Sequence, residues 1–235
     1  MNKLEIWAAV LVIAMAIGLF YGAKQSAAEQ VASLEASPII VVIDAGHGGM
    51  DGGAVSVTGA LESQINLKIA QKADYLLVFC GFNTKMIRNS DISIHEDSAQ
   101  TISEQKVSDL KQRVEIVNAT PKAVLLSIHQ NTFPESKYHG AQVFYADTAE
   151  SQSWAEWTQN SLVSNLDTTN NRKAKLSSKV YLMEHINCDG ILVECGFLSN
   201  ETEELNLQTD IYQTKLALAM ADGLCCWQQE ENHEV

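Results

Sequence analysis

The chain has 235 residues, a formal net charge of -13, 46% hydrophobic residues and 19% charged residues. That length allows one sizeable domain or two small ones, and the composition fills a core and excludes wholesale disorder. The acidic balance excludes a nucleic-acid partner and leaves no polybasic patch for anionic lipid.

The first element in chain order is an unbroken apolar run, Ile6 to Ala23, between Lys3 and Lys24. Its length of about 18 residues lies at the lower edge of a bilayer span and is long for a signal-peptide core. Residues 1–28 therefore read as a membrane anchor or a cleaved signal, with "SAAEQ" at 26–30 as a small-residue cleavage site. A buried helix is the remaining alternative. Either of the first two puts the rest of the chain outside the cytoplasmic membrane. Residues 29–38 read as a linker, 39–227 as the main domain and 228–235 as a polar tail.

"PIIVVIDAG" predicts a buried strand ending near Ile43. Apolar residues Ile65, Ile69, Ala73 and Leu76 predict a helix from Glu62 to about Phe79, with Gly81 closing it. "NTKMIR" is the next strand, Asn89 to Ser103 a surface loop, and Glu104 to Asn118 a helix. "AVLLSI" at 123–128 and "GAQVFYA" at 140–146 follow as strands. Glu150 to Leu166 is helical, with Trp154 and Trp157 expected to pack on the sheet. "GILVEC" at 190–195 is a further buried strand, and the last helix runs from about Ile211 to Trp227. Strands separated by helices imply a single α/β domain: a mostly parallel, twisted sheet with helices on both faces. The five cysteines include no C-x-x-C pair and read as small core residues. There is no internal repeat and no separate wall- or sugar-binding module.

Polar residues fall at the strand ends, where open α/β sheets bind ligands. His47 lies just beyond the first strand, His129 follows "AVLLSI", Glu194 follows "GILV", and Glu62 opens the helix after the first strand. Two imidazoles and two carboxylates thus reach one rim. Two His and one Glu with an open fourth position form the ligand set of a catalytic zinc site, which brings a bound water's pKa to about 7. A second carboxylate beside it, Glu194, suits a proton shuttle. Gly46, Gly48, Gly49, Gly52 and Gly53 let the chain turn and are expected to clear the approach of substrate. Asp44 either orients an imidazole or caps a loop.

Taken singly, each residue also has a structural reading. His47 fits a turn or a phosphate-cradling loop, although the G-x-G-x-x-G and P-loop patterns are missing. His129 fits a satisfied strand-end histidine, and Glu62 an acid favoured at a helix start. Glu194 is the hardest to explain away, because a carboxylate closing an apolar strand is costly unless paired or functional. His95, His139, His185 and His233 lie in polar stretches and read as solvated, and Arg113 and Arg172 as ion-pair residues, with Arg172 also open to an anionic substrate. No H-E-x-x-H and no G-x-S-x-G occurs.

These residues carry a resemblance. "IDAGHGGMDGGA", "GALESQINLKIA", "LKQRVEIVNA", "LLSIHQN" and "ILVECGFLSNETE" resemble the signature segments of zinc-dependent N-acetylmuramoyl-L-alanine amidases of the amidase-3 type, over residues 39 to 227. The resemblance implies a zinc site of His47, Glu62 and His129, Glu194 as catalytic acid/base, a single α/β domain, and peptidoglycan as substrate. Ala45 and Gly52 stand where the family usually has proline, and Ser63 where lysine is common. The long insertion that occludes the site in some members is missing, which implies an open site. The N-terminal apolar segment and "NNRKAKLSSKVYLMEHINCDGILVECGFLSN" look most like the sporulation and germination subgroup, whose members strip peptide from muramic acid ahead of muramic lactam formation in the spore cortex. The expected protein is monomeric and extracytoplasmic. Two alternatives remain: a zinc carboxypeptidase on stem peptides, and a non-catalytic wall-binding protein on the same fold.

Overall fold

A run of β-branched residues with no polar break favours a strand covered on both faces. In the computed structural model, which describes residues 39–233, that run forms β1 (Ile40–Ala45), with Val41, Val42 and Ile43 fully buried. β2 (Asn83–Met86), β3 (Ala123–Asn131), β4 (Gln142–Tyr145), β5 (Lys175–Leu176) and β6 (Gly190–Phe197) complete a sheet of order β2-β1-β3-β6-β4-β5. All ladders are parallel except β4 against β6. The expected α/β architecture is the one observed.

The helices are α1 (Glu62–Phe79), α2 (Ile102–Asn118), α3 (Ala149–Asn165), α4 (Tyr181–His185), α5 (Glu201–Leu207) and α6 (Asp210–His233). Helices α1, α3 and α6 cover one face with the larger core, which takes Val41, Ile43, Leu126, Ile128, Ile191 and Val193 from the sheet. α2 and α4 cover part of the other face, over Val42, Leu125 and Leu192.

The ends follow local chemistry. Thr101 and Glu104 form a reciprocal capping box that starts α2 at Ile102 rather than Glu104. After α1, Gly81 N donates to Val78 O and Phe82 N to Leu77 O, the paired bonds of a Schellman turn.

Three features depart from expectation. The short elements β5, α4 and α5 are too brief to leave a periodic signal. α6 continues past the expected end at Trp227 to His233, through residues of good helix propensity. Trp154 is fully buried and stacks on Trp227 at 5.4 Å, but Trp157 is 39% exposed and donates its N–H to Glu230 instead of packing on the sheet. The apolar run 6–23 and the linker 29–38 lie outside the described residues. Among the described residues no helix is long and apolar enough to cross a membrane.

Candidate metal centre

The turn after β1 is under backbone strain. His47 has φ of +62°, a left-handed conformation that costs a non-glycine residue about 1–3 kcal/mol. Two buried arginines hold it there. Arg113 donates to Ala45 O (3.0 Å) and His47 O (2.7 Å). Arg88 donates to Ala45 O (2.8 Å), Gly46 O (3.0 Å) and Ser63 O (2.8 Å), tying the turn to the start of α1. Arg113 is an ion-pair residue as expected, bonded to Asp44 and Asp109. Asp44 neither orients an imidazole nor caps a loop. It is buried, pairs with Arg113 and accepts from Ser127 Oγ at 2.7 Å. Its burial opposes ionisation, but the Arg113 and His129 charges and the hydrogen bonds from Ser127 and Arg113 together outweigh that and hold the carboxyl below its usual range.

The glycines let the chain turn, with positive φ at Gly48, Gly49 and Gly53, and two of them also make room within the site. A Cβ on Gly46 would overlap the His129 ring. A Cβ on Gly53, where φ is +67°, would lie 2.6 Å from Glu62 Oε2 and 2.7 Å from His47 Cδ2. The space they leave is filled by the site's own side chains. Gly48 and Gly49 instead face Ile92 and Ser93 of the neighbouring loop.

All four rim residues meet. Glu62, the first residue of α1, sets Oε1 3.3 Å from His47 Nε2 and 3.0 Å from His129 Nδ1. The three offer ligand atoms that lie within 4.8 Å of one another. Donors arranged tetrahedrally at about 2.0–2.1 Å from zinc stand about 3.3 Å apart, so the donor set fits that ion. Glu62 Oε2 accepts from Ala54 N (2.8 Å), and Oε1 also accepts from Gln130 N (3.1 Å), which fixes the carboxylate in place.

Glu194 pairs with His129 in the β3–β6 register, so both side chains leave one face of the sheet. Its Oε2 is buried and has no hydrogen-bond partner among the described residues. Beside it opens a cleft of about 270 Å³ between the sheet end, α2 and α4, lined by His47, His129, Glu194, Lys106, Leu110 and Leu182.

The two carboxylates titrate in opposite directions. Burial raises the Glu62 pKa, but hydrogen bonds and charge from His129 and His47 more than reverse this and hold it far below the usual range. Burial raises Glu194, and the Glu62 charge adds to the rise, against opposing contributions from His129 and His47. Burial lowers His47, but Glu62 and Asp51 outweigh it and raise its pKa to about 9.

Sequence reasoning missed Asp51, whose Oδ2 lies 2.8 Å from His47 Nδ1 and whose Oδ1 pairs with Lys106 at 2.8 Å. Its signal was its place four residues after His47 in the same glycine loop. Arg88 was also missed, hidden in a strand-like stretch. The other histidines with described side chains stand apart: His95 bonds Ser93, His139 pairs with Asp167 at 3.4 Å, and His185 stacks on Tyr181. All five cysteines are free.

A sequence model of the N-acetylmuramoyl-L-alanine amidases matches residues 41–226. The germination-specific N-acetylmuramoyl-L-alanine amidase of Bacillus subtilis is 38% identical over 193 residues, 82% of this chain and 81% of that protein. The solved CwlD amidase from Clostridioides difficile, in complex with the GerS lipoprotein, superposes with a TM-score of 0.79 at 36% identity, covering 81% of this chain and 98% of that one. An N-acetylmuramoyl-L-alanine amidase from Clostridium difficile 630 gives 0.70 at 28% identity, covering 81% and 97%. Since the match takes in every strand that carries a rim residue, the chain belongs to the N-acetylmuramoyl-L-alanine amidase family.

Proposed function

We propose that this amidase is a zinc-dependent peptidoglycan hydrolase that cleaves the amide between the lactyl group of N-acetylmuramic acid and the L-alanine of the stem peptide. His47, Glu62 and His129 hold the metal, and Glu194 is the acid/base. The observation that carries this is the convergence of three donors beside a buried carboxylate oxygen with no hydrogen-bond partner among the described residues.

A zinc ion on these donors supplies a Lewis acid that polarises the amide carbonyl and makes water nucleophilic at neutral pH. Asp51 accepts the Nδ1 proton of His47 and leaves Nε2 free as a donor. Glu62 stays ionised at any working pH, because its folded pKa is so far depressed. Glu194 takes the proton of the attacking water and delivers it to the leaving nitrogen. Its raised pKa suits both steps, since it accepts a proton more readily than an exposed carboxylate.

The resemblance to the germination-specific relative supports a role in the spore cortex, where removal of stem peptides from muramic acid precedes muramic lactam formation. Action on peptidoglycan places the domain outside the cytoplasmic membrane. The apolar run 6–23, long enough to span a bilayer, supports attachment to its outer face. Sequencing the N-terminus of the mature protein distinguishes an anchor from a cleaved signal.

Incubation of the purified full chain with muropeptides is expected to release intact stem peptides, to stop with chelator and to resume with zinc. Release of a single terminal amino acid would assign a carboxypeptidase. Cut glycan strands with peptides still attached would overturn the reaction.

A further inference from the structure

A basic segment runs from the cleft to a neighbouring hollow lined by Arg172, Tyr138 and His139. Although the chain carries a net charge of -13, residues 168–183 hold Arg172, Lys173, Lys175 and Lys179 and no Asp or Glu. At one end of this segment Val180 lines the cleft. Near the other, Arg172 Nε donates to His139 O (2.9 Å) and Nη1 to Gln142 Oε1 (3.1 Å). Gln142 is the ladder partner of Glu194 across the antiparallel β4–β6 pair. Their side chains therefore leave one face of the sheet, from Cα atoms about 5 Å apart.

A bulge in β6 completes the setting. His129 pairs with Glu194 and Asn131 with Phe197, so Cys195 and Gly196 oppose Gln130 alone. The extra residue returns Phe197 to the face of Glu194. The Arg172 guanidinium carbon sits 4.7 Å from the centre of the Phe197 ring. Phe133 and Tyr138, both partly exposed, extend the aromatic ledge.

Among the described residues, Arg113 is paired with two carboxylates and Arg88 is buried against backbone carbonyls. Arg172 is partly exposed, and its two hydrogen bonds leave three of its five N–H donors for a ligand. A guanidinium fixed by an aromatic face and two neutral acceptors presents a planar fork suited to a carboxylate. Two extended residues span about 7 Å, more than the ladder step of about 5 Å from Glu194 to Gln142, whose side chain holds that fork.

We propose that Arg172 binds a carboxylate of the stem peptide on the residue that follows the L-alanine, and so determines which stem peptides are preferred. The proposal rests on the amidase reading. It predicts discrimination between a free carboxylate at that position and the corresponding carboxamide, which keeps the shape and loses the charge.

The zinc-loaded full chain is assayed on two disaccharide-peptides that differ only in that group. The wild type is expected to favour the carboxylate by about 10-fold or more in kcat/KM, chiefly through KM. In Arg172→Gln this ratio falls toward one, and Arg172→Lys keeps part of it. Zinc content and circular dichroism establish that each variant is folded. Should Arg172→Gln not fold, Arg172→Lys and the salt sensitivity of the wild-type ratio decide in its place. A wild-type ratio near one, or a ratio that survives in folded variants while both substrates slow equally, overturns the proposal and leaves Arg172 a support for residues 139–142. Peptide release from both substrates at one rate sinks only the carboxylate preference. Release from neither sinks the amidase reading as well.

Discussion

The two faces of the sheet differ although the same strands supply both. In β3, Val124, Leu126 and Ile128 enter the larger core, while Leu125, Ser127 and His129 point the other way. The first face is closed by three helices and takes mainly apolar residues from β1, β3 and β6, with Gln130 near the end of β3 bonded to Asn66 of α1. The second is covered by α2 and α4 and turns polar along each strand: Val42 to Asp44, Leu125 to Ser127 to His129, Leu192 to Glu194. The place where the core becomes the site is therefore set by where helical cover stops. Polar groups on that boundary are tolerated because they satisfy one another, as Ser127 and Arg113 do for Asp44.

Substitutions on the two faces should separate chemistry from stability. The largest effect is expected from Glu194→Gln on the open face, with turnover of muropeptides falling by about 10²–10⁴. Its zinc content and melting temperature should match the wild type; a variant that melts early but still turns over would break the distinction between the faces. Next comes Leu126→Ala on the closed face, expected to lose about 2–5 kcal/mol in denaturant titration. Zinc stoichiometry in the remaining folded protein should be intact. A loss of metal there would mean that the two faces are not independent.

Asp51→Ala is expected to weaken zinc binding by about 10–100-fold, measured by competition with a chromophoric chelator, with the fold retained. Unchanged affinity would remove Asp51 from the site. The smallest effect is a dependence on pH. Despite its burial, His47 has a folded pKa of about 9, above its usual 6.5, owing to Glu62 and Asp51. Its contribution to the metal-free fold is thus fully present below pH 6.5 and lost as pH rises through about 9. In chelator the melting temperature should decline over that window. With zinc the trend should reverse, because the ion competes with the proton. A flat metal-free profile would show that His47 gains nothing from its neighbours.

Much of the site was legible because it obeys one local rule. His47, His129 and Glu194 follow runs of aliphatic residues, and Glu62 begins an amphipathic helix, so strand-end reasoning singled out four residues that the fold brings to one rim. Gln142 escaped the same rule for a physical reason. β4 runs antiparallel to β6, so the residue facing Glu194 stands at the start of its strand, and strand direction leaves no mark on hydrophobic periodicity. Asp44 was legible as important but not in its partner, since Arg113 lies on a helix 69 residues away in sequence. Trp157 was misplaced because both tryptophans lie on the apolar side of a helix whose buried stripe takes only one of them fully.

The order of the longer strands and helices, the apolar cores of β1, β3 and β6, and the candidate metal-ligand residue types were determined by the sequence itself. Periodicity and residue chemistry are local properties that need no knowledge of neighbours. Only the tertiary structure decided that Gly46 and Gly53 make room for His129 and Glu62, that Asp51 rather than Asp44 orients His47, and that Glu62 and Glu194 shift in opposite directions. Each of these depends on which groups share a few ångströms of buried space. Close packing and charge interactions are set by distance through the fold, which sequence separation does not encode.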